Sequence, residues 1–548
     1  MLVAAAALIA AALWGCSGSG TGVTTGLPAP SIFNVTASGD IRYRDLQYGS
    51  SGFTGLVSYK PVRHAEVEVV DSRTGLVIAT GSTSSAGSYA ITFDAPFDRV
   101  YVRVLASASV AGGVEVYNNP FPGEGRLLYS IALPEPTIAD DAGLAGNLDI
   151  TDSMPAEAFN ILDVLTAAHE FALSIPGGSS PPLLRAFWQE NRTNGTYYCN
   201  VSCLSGEGIY ILGKATDAWG AVTDTDGYDD DVIWHEYGHF LAYKFSRDDS
   251  PGGSHSFTKN DLDMRLSWSE GWGGYVQGSL KRWLSGNPQL AGVLSAAPAL
   301  SPEEYVDTGN DSAPPALLYM DYSNPGGYPY VYASNEVAVA KVLLDLEQYF
   351  GIVGVWNIIR SLDSYLLPGE EVTLEAFWDG WVDTLVTTPV TNSILMDREV
   401  YYMEDALEPD GLPDSLRLLA VNDTAGETHY LYSKSSLWDT DYIAFNATAP
   451  GDYTVETFCM RNGADTYLEV LGTDGVSLVN TPSDDVFVVS ACTPDSFSQY
   501  SSRVIASIVS PGVYYAMVNT STSAKTIAPP NYPYPGRYGT YSIRVTGP

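Results

Sequence analysis

The sequence predicts a multidomain protein in which an α+β domain lies between two β-sandwiches. Its 548 residues suffice for about three or four domains, and a hydrophobic content of 45% is typical of folded globular protein. Alternating apolar and polar residues at 65–69 indicate strands near the N-terminus, and this pattern returns in the last third. Between them, apolar residues recur at helical spacing around 156–165 and 232–241.

The N-terminal residues predict export from the cytoplasm. Residues 2–14 form an apolar run that is too short to span a bilayer but suits the core of a signal peptide. The run ends in Leu13-Trp14-Gly15-Cys16, so residues 1–16 resemble a bacterial lipoprotein signal with Cys16 as the lipidated residue. Residues 17–37 are then a flexible linker. We expect an outer-membrane or surface lipoprotein of the bacterial cell envelope; the alternative is an ordinary cleaved signal and a secreted protein.

Residues 38–132 are predicted to form the first β-sandwich. Short strand patterns follow one another here, with Gly and Ser turns between them. The order Lys60-Pro61-Val62, Val67 to Asp71, Thr74-Gly75 and Gly87-Ser88-Tyr89 resembles the carboxypeptidase-regulatory, transthyretin-like sandwich. The resemblance implies a binding or spacer module without chemistry of its own.

Residues 133–402 are predicted to form a domain with a helix that carries His235-Glu236-Tyr237-Gly238-His239. On a helix, the two histidines lie one turn apart on one face, where both can bind a single Zn²⁺. Glu236 then lies beside the metal, in position to take a proton from a zinc-bound water. Gly238 costs about 1 kcal/mol relative to Ala inside a helix, which indicates close packing at that position. The pattern therefore predicts a catalytic zinc site.

Catalytic zinc needs a third protein ligand. The metzincin pattern would place Gly at 242 and His at 245, but the chain has Ala242 and Phe245, which excludes that class. The alternative is a Glu from a second helix. Residues 266–275 open a second helical stretch and contain Ser269-Glu270-Gly271-Trp272, with 30 residues between His239 and Glu270.

Together the two motifs resemble those of the gluzincin metallopeptidases, most nearly the fungalysin type. The resemblance implies a thermolysin-like α+β domain with zinc ligands His235, His239 and Glu270 and general base Glu236.

One position departs from the gluzincin pattern. These families carry an Asp four residues after the ligand Glu, where it hydrogen-bonds a zinc-bound His. Here that position is Gly274, and Asp261 and Asp263 are the nearby candidates to replace it. Such partners are commonly worth about 10–100-fold in metal affinity or activity.

A zinc peptidase also needs a group that stabilises the developing oxyanion. Tyr330 and Tyr332 are the candidates, because they precede the predicted helical stretch 335–349. His255 is a further candidate for a metal ligand or a substrate contact, against the simpler interpretation of an ordinary loop histidine.

Five carboxylates at 224–231 lie just before the predicted helix that carries His235 and His239. The spacing is not that of an EF-hand, because the Glu at loop position 12 is missing. Two explanations stay open. The carboxylates either lie at the helix N-terminus, which favours anionic side chains, or bind Ca²⁺ through Asp224, Asp226, Asp229 and Asp230.

Apart from Cys16, the four cysteines form two local pairs. In an exported protein we expect disulfides Cys199–Cys203 and Cys459–Cys492. Metal binding by Cys199 and Cys203 is the alternative, although no second Cys or His pair accompanies them.

Residues 403–548 are predicted to form the second β-sandwich. Several segments together resemble a bacterial pre-peptidase C-terminal domain, a small β-sandwich found at the ends of secreted peptidases: 404–410, 439–442, 451–457, 463–466, 484–485, 511–515 and 539–542. Aspartates of this domain either bind Ca²⁺ or cap turns.

Charge and motifs together define the expected function. A net charge of −37 disfavours nucleic acid and anionic membrane surfaces, so we expect contact with a membrane only through the lipid anchor. The sequence predicts a monomeric zinc metallopeptidase that acts on proteins or peptides. Its expected cofactor is Zn²⁺, and Ca²⁺ is a second candidate. The alternative is a peptidase-like surface binding protein or adhesin with little activity.

Overall fold

The computed structural model describes residues 33–548 with internal gaps, so Cys16 and the predicted signal segment 1–16 lie outside the described residues. The gaps are 96–99, 122–124, 134–143, 152–154, 191, 193, 204–205, 217–221, 291, 296–299, 310–315, 324–328, 367–368, 386–387, 409–416, 433–438, 490–491, 493–496 and 521–536.

The N-terminal part of the described chain consists of strands. They are β1 (Phe33–Gly49), β2 (Gly52–Pro61), β3 (Ala65–Asp71), β4 (Val77–Ser82), β5 (Ser88–Ala95), β6 (Val100–Ala108), β7 (Val114–Tyr117), β8 (Ser130–Ala132), β9 (Leu144–Ala145) and β10 (Leu148–Ile150). Strand β1 starts inside the segment 17–37 that the sequence predicts as a flexible linker. Val35 and Ala37 are buried there, and the first half of β1 pairs with β5.

The middle of the chain contains the helices. Its elements are α1 (Ala156–Ser174), β11 (Leu184–Trp188), β12 (Tyr197–Cys199), β13 (Gly208–Ile211), β14 (Ala215–Thr216), β15 (Val222–Asp224), α2 (Asp230–Phe245), α3 (Met264–Ser285), β16 (Glu304–Thr308), β17 (Ala316–Asp321), α4 (Glu336–Phe350), α5 (Ile352–Ile359), α6 (Leu374–Thr384) and α7 (Pro389–Met396).

One sheet joins the N-terminal strands to the middle of the chain. Its strand order is β12-β13-β11-β7-β6-β3-β4, and β8 pairs with β6. The link is a parallel pair between β11 and β7, with Leu184 opposite Val114. A parallel pair needs a long crossover connection, and the segment that contains α1 supplies it. The predicted domain boundary at residues 132–133 therefore falls inside a single sheet.

Buried polar contacts connect this sheet region to the helices. Arg63 is buried and pairs with Asp163 at 2.5 Å and with Glu170 at 2.9 Å, both on α1. From α2, the indole Nε1 of Trp234 donates to the carbonyl of Val164 at 3.0 Å. The N-terminal strands thus hold α1, and α1 supports the helix that carries His235 and His239.

The C-terminal part of the described chain is made of strands in two sheets, in agreement with the predicted β-sandwich. The strands are β18 (Leu418–Leu419), β19 (Glu427–Leu431), β20 (Thr440–Ala447), β21 (Gly451–Arg461), β22 (Thr466–Leu471), β23 (Ser483–Asp484), β24 (Arg503–Ile508), β25 (Gly512–Thr520) and β26 (Gly539–Thr546). The sheet orders are β18-β20-β25-β22-β23 and β19-β26-β21-β24. Buried Arg537 ties this region to the middle of the chain, since it pairs with Asp379 of α6 and with Glu370.

Both predicted disulfides are confirmed. Cys199 and Cys203 are bonded with their Cα atoms 6.1 Å apart, and Cys459 and Cys492 with theirs 5.5 Å apart. Cys199 and Cys203 are therefore not free thiolates that bind a metal. Two disulfides indicate an extracytoplasmic protein. Among the described residues, no helix has the length and apolar character needed to cross a membrane.

Candidate metal centre

Helix α2 presents His235, Glu236 and His239 next to a tight helix crossing. The two imidazole rings lie 5.0 Å apart, centroid to centroid. A Cβ atom on Gly238 would lie 2.9 Å from the Cα of Gly273 on α3, closer than real contacts allow. The close packing predicted at Gly238 is therefore confirmed, and it lets α3 bring its own side chains to the histidines.

Helix α3 contributes Glu270. Its Oε2 lies 3.1 Å from Nε2 of His235 and 3.6 Å from Nε2 of His239, and the three candidate ligand atoms lie within 4.8 Å of one another. Zinc bonds of about 2.1 Å in tetrahedral directions place ligand atoms about 3.4 Å apart. The three side chains retain 12–14% exposure, so one side of the group is open. Both the donor set and its spacing fit a catalytic zinc ion.

The charges at this site favour a cation. Burial opposes ionisation of His239, but Glu270, Glu236 and Asp248 outweigh it and raise the pKa of His239 to about 10. Burial likewise opposes the charged form of Glu270, yet the two histidines hold the pKa of its carboxyl well below its ordinary value. An anionic pocket of this kind holds positive charge, whether carried by a proton or by a metal ion.

Glu236 points to the edge of the large sheet. Its Oε2 accepts a hydrogen bond of 2.7 Å from the backbone N–H of Tyr198 on β12. Strand β12 is the end strand of its sheet and pairs with β13 on its other side. The carboxylate expected to act as a base thus lies between the ligand group and the outer side of this strand.

Ser269 and Asp248 support His239. The Ser269 hydroxyl donates to Oδ2 of Asp248 at 2.7 Å and lies 3.3 Å from Nδ1 of His239. Since this hydroxyl donates to Asp248, it accepts from the N–H at Nδ1, which leaves Nε2 of His239 for a metal. Of the candidates that the sequence offers for this kind of support, Asp263 caps α3 instead and Asp261 is exposed.

His235 lacks an equivalent partner. Its Nδ1 is buried and has no hydrogen bond among the described residues. The ring lies on Gly273, where a Cβ atom would be 2.7 Å from the imidazole Cε1. A Cβ atom on Gly274 would lie 2.9 Å from the hydroxyl of Tyr322. Tyr322 therefore fills the space in which an Asp at position 274 would stand.

His255 lies beside the ligand group, although the sequence favours an ordinary loop histidine. Its Nδ1 is 2.8 Å from Oε2 of Glu336, the first residue of α4, and its Nε2 is 3.7 Å from Oε2 of Glu270. The hydrogen bond with Glu336 raises the pKa of His255 to about 9 against the effect of burial, and Glu270 adds to the rise. Glu336 thus orients His255 with Nε2 towards the metal centre.

The two residues predicted to stabilise the oxyanion, Tyr330 and Tyr332, are both buried. Tyr332 is buried against Arg461 of the C-terminal region, with its ring 5.2 Å from the guanidinium carbon, and it has a positive φ of 75°. Tyr330 is buried in the core. Tyr305 of β16 lies beside His235, with 6.1 Å between the ring centroids. No local motif around Tyr305 marks it in the sequence.

In the second half of the acidic segment 224–231, the three carboxylates at 229–231 bond to other protein groups. Asp229 occupies the N-cap position of α2, but its carboxylate accepts from the N–H and the hydroxyl of Thr308 rather than from the helix. Asp230 accepts from the N–H of Ser295 at 3.1 Å, and Asp231 pairs with Lys281 at 3.1 Å. Two of the four predicted Ca²⁺ ligands, Asp229 and Asp230, are thus hydrogen-bonded by protein groups.

Comparisons with known proteins give limited likenesses. No protein-family model and no curated protein matches the chain. Among solved structures, the pre-peptidase C-terminal domain of a collagenase from Bacillus anthracis is similar to 24% of this chain and 92% of its own, at 13% identity and a TM-score of 0.15. The periplasmic lysozyme inhibitor PliG of Aeromonas hydrophila is similar to 24% of this chain and 96% of its own, at 10% identity and a TM-score of 0.12. Likenesses of this extent assign no function.

Proposed function

We propose that this protein is an exported zinc metallopeptidase of the gluzincin type. The observation that carries the proposal is the meeting of His235, His239 and Glu270 at spacings suited to tetrahedral zinc, with Glu236 on the same helix. Binding alone does not need a base beside the metal. The pairing of a three-ligand group with an adjacent carboxylate therefore favours hydrolysis.

Each side chain has a distinct part in the proposed reaction. When bound, zinc lowers the pKa of a water molecule and polarises the peptide carbonyl. Glu236 takes the proton from the attacking water and passes it to the leaving amine. His255, held by Glu336, donates a hydrogen bond from Nε2 to the carbonyl oxygen as charge develops there.

The outer side of β12 is the proposed place for the substrate backbone. An end strand offers backbone N–H and C=O groups to which an extended peptide can pair. The N–H of Tyr198 contacts Glu236, so a peptide on that side would bring its carbonyl close to the base. The Cys199–Cys203 disulfide fixes the end of this short strand. A structure with a bound peptide tests this placement, because the peptide backbone is expected alongside residues 197–199.

Cleavage of casein and of a broad peptide library tests the proposed activity. The protein is expected to release peptides with newly formed amino and carboxyl termini, and 1,10-phenanthroline is expected to stop the reaction. Cleavage that survives removal of the metal would exclude a metal-dependent mechanism.

A lipid anchor at Cys16 is the proposed means of retention at the cell envelope. The protein is expected in the membrane fraction, and Cys16→Ser is expected to move it to the soluble fraction. Detergent partitioning of the full chain measures this. Unchanged partitioning of the variant would show that Cys16 is not lipidated and would favour an ordinary signal peptide.

A peptidase-like surface binding protein is the second candidate. The observation that favours it is the buried Nδ1 of His235, which has no hydrogen bond among the described residues. An unsupported ligand binds zinc less tightly, and loss of such a contact commonly lowers activity by about 10–100-fold. Zinc binding without cleavage of any member of the peptide library would select this function.

A further inference from the structure

A second group of carboxylates lies between α2 and β16. Asp224 ends β15, Asp226 follows it in the turn before α2, and Asp307 comes from β16. One carboxylate oxygen of each lies within 4.8 Å of the others. Ca²⁺ binds oxygen at about 2.4 Å, so oxygens bound to one ion lie up to about 5 Å apart. The three side chains are thus close enough to share one ion.

Each of the three carboxylates has one buried oxygen that lacks a hydrogen-bond partner among the described residues, although Asp224 and Asp307 are only half-buried as residues. Asp226 is 4% exposed, and Oδ1 of Asp224, Asp226 and Asp307 has no hydrogen-bond partner in the described part of the chain. The described basic residues form no ion pair with them, whereas Asp231 nearby has Lys281. Three neighbouring carboxylates whose buried oxygens lack described hydrogen-bond donors are costly, and a bound cation would relieve that cost.

The pKa values of these carboxylates are raised, as expected for negative charges held close together. Burial, and then repulsion by Asp224 and Asp307, raises the pKa of Asp226 well above its ordinary value. Burial and repulsion by Asp224 raise the pKa of Asp307 to about 7. A bound cation would relieve this repulsion, as protonation does.

We propose that Asp224, Asp226 and Asp307 bind a structural Ca²⁺ ion, with water or backbone oxygens completing its coordination. An all-oxygen donor set suits Ca²⁺ rather than zinc, which binds His and Cys more readily. From the sequence, Asp224 and Asp226 are predicted Ca²⁺ ligands together with Asp229 and Asp230. The structure assigns the third ligand to Asp307, about 80 residues further along the chain.

The ion would fix three elements around the metal centre. Asp226 lies in the turn before α2. Its Oδ2 accepts a hydrogen bond from the hydroxyl of Thr196, the residue before β12. Asp307 lies two residues after Tyr305, whose ring packs against His235. The proposed Ca²⁺ site therefore joins three elements: α2, the segment that leads into β12, and β16. Its role is structural and does not depend on the peptidase proposal.

Calcium binding and unfolding of the zinc-loaded full chain test the proposal together. Calorimetric titration with Ca²⁺ is expected to show one binding site fewer in Asp307→Asn than in wild type. At a Ca²⁺ concentration about 100-fold above its Kd, the wild-type melting temperature is expected to rise by roughly 2 °C. In buffer depleted of Ca²⁺ but not of zinc, Asp307→Asn is expected to melt at or above the wild-type temperature, because the substitution removes repulsion. In Ca²⁺ the order is expected to reverse.

Asp149→Asn is the matched control, because Asp149 is a half-exposed carboxylate that pairs with Arg42 outside this group. Its Ca²⁺ stoichiometry and the change of its melting temperature with Ca²⁺ are expected to equal those of wild type. Wild-type stoichiometry in Asp307→Asn, or a wild-type chain that binds no Ca²⁺, would overturn the proposal. So would a variant that melts below wild type by the same amount with and without Ca²⁺, since that result indicates a packing defect alone.

Discussion

Glu236→Gln is expected to keep one zinc per chain and to lose hydrolysis by about 10²–10⁴-fold. The substitution preserves the helix and all three ligands, and the amide can still accept the 2.7 Å hydrogen bond from the N–H of Tyr198. What it removes is the proton acceptor for the attacking water. Zinc content by mass spectrometry and the rate of peptide cleavage measure the two effects separately.

Glu270→Gln is the partner variant, because the two glutamates carry the same charge in different roles. Glu270 has an oxygen within 3.6 Å of both histidines, so its neutralisation removes an anionic ligand. Zinc affinity and activity are expected to fall together. A Glu270→Gln chain that binds zinc as tightly as wild type would place the third ligand elsewhere, with His255 next in line. Normal cleavage by Glu236→Gln would contradict the assignment of the base.

His255→Gln is expected to lower kcat by about 10²–10³-fold while zinc content stays at one per chain. The reason is that His255 has Glu336 on one ring nitrogen and directs the other towards the metal centre. A donor to the developing oxyanion acts in the transition state, so KM is expected to change little.

Zinc content also separates the two roles that the sequence leaves open for His255. If His255→Gln loses zinc, the residue is a metal ligand and not the substrate contact through which the proposed oxyanion role would act. His64→Gln is the matched control, since His64 likewise lies near a glutamate, 3.5 Å from Glu170, but outside the metal centre. The control is expected to retain the wild-type rate.

The meeting of His235, His239 and Glu270 was predictable because its signal is local. His235, Glu236 and His239 need only a helical turn, and Ser269-Glu270-Gly271-Trp272 is a short motif in its own right. The cost of Gly238 inside a helix also indicated close packing, and the structure shows α3 at that point. The two disulfides followed from pairs of cysteines near each other in sequence.

The surroundings of the ligands were not predictable, because the chain brings them from other elements. Glu336 reaches His255 from 81 residues away, and Asp307 joins an acidic turn before α2. Asp248 supports His239 only through Ser269, so no spacing rule identifies it. The parallel pairing of β11 with β7 likewise depends on a long crossover, which local patterns do not indicate.

Zinc titration of the metal-free chain tests the central claim most directly. The protein is stripped with chelator, zinc is added in known amounts, and cleavage of a broad peptide library is followed at each step. We predict that activity rises in proportion to bound zinc and saturates at one zinc per chain, and that Glu236→Gln binds the same zinc without activity. A chain that binds one zinc at His235, His239 and Glu270 and cleaves no member of the library would contradict the account.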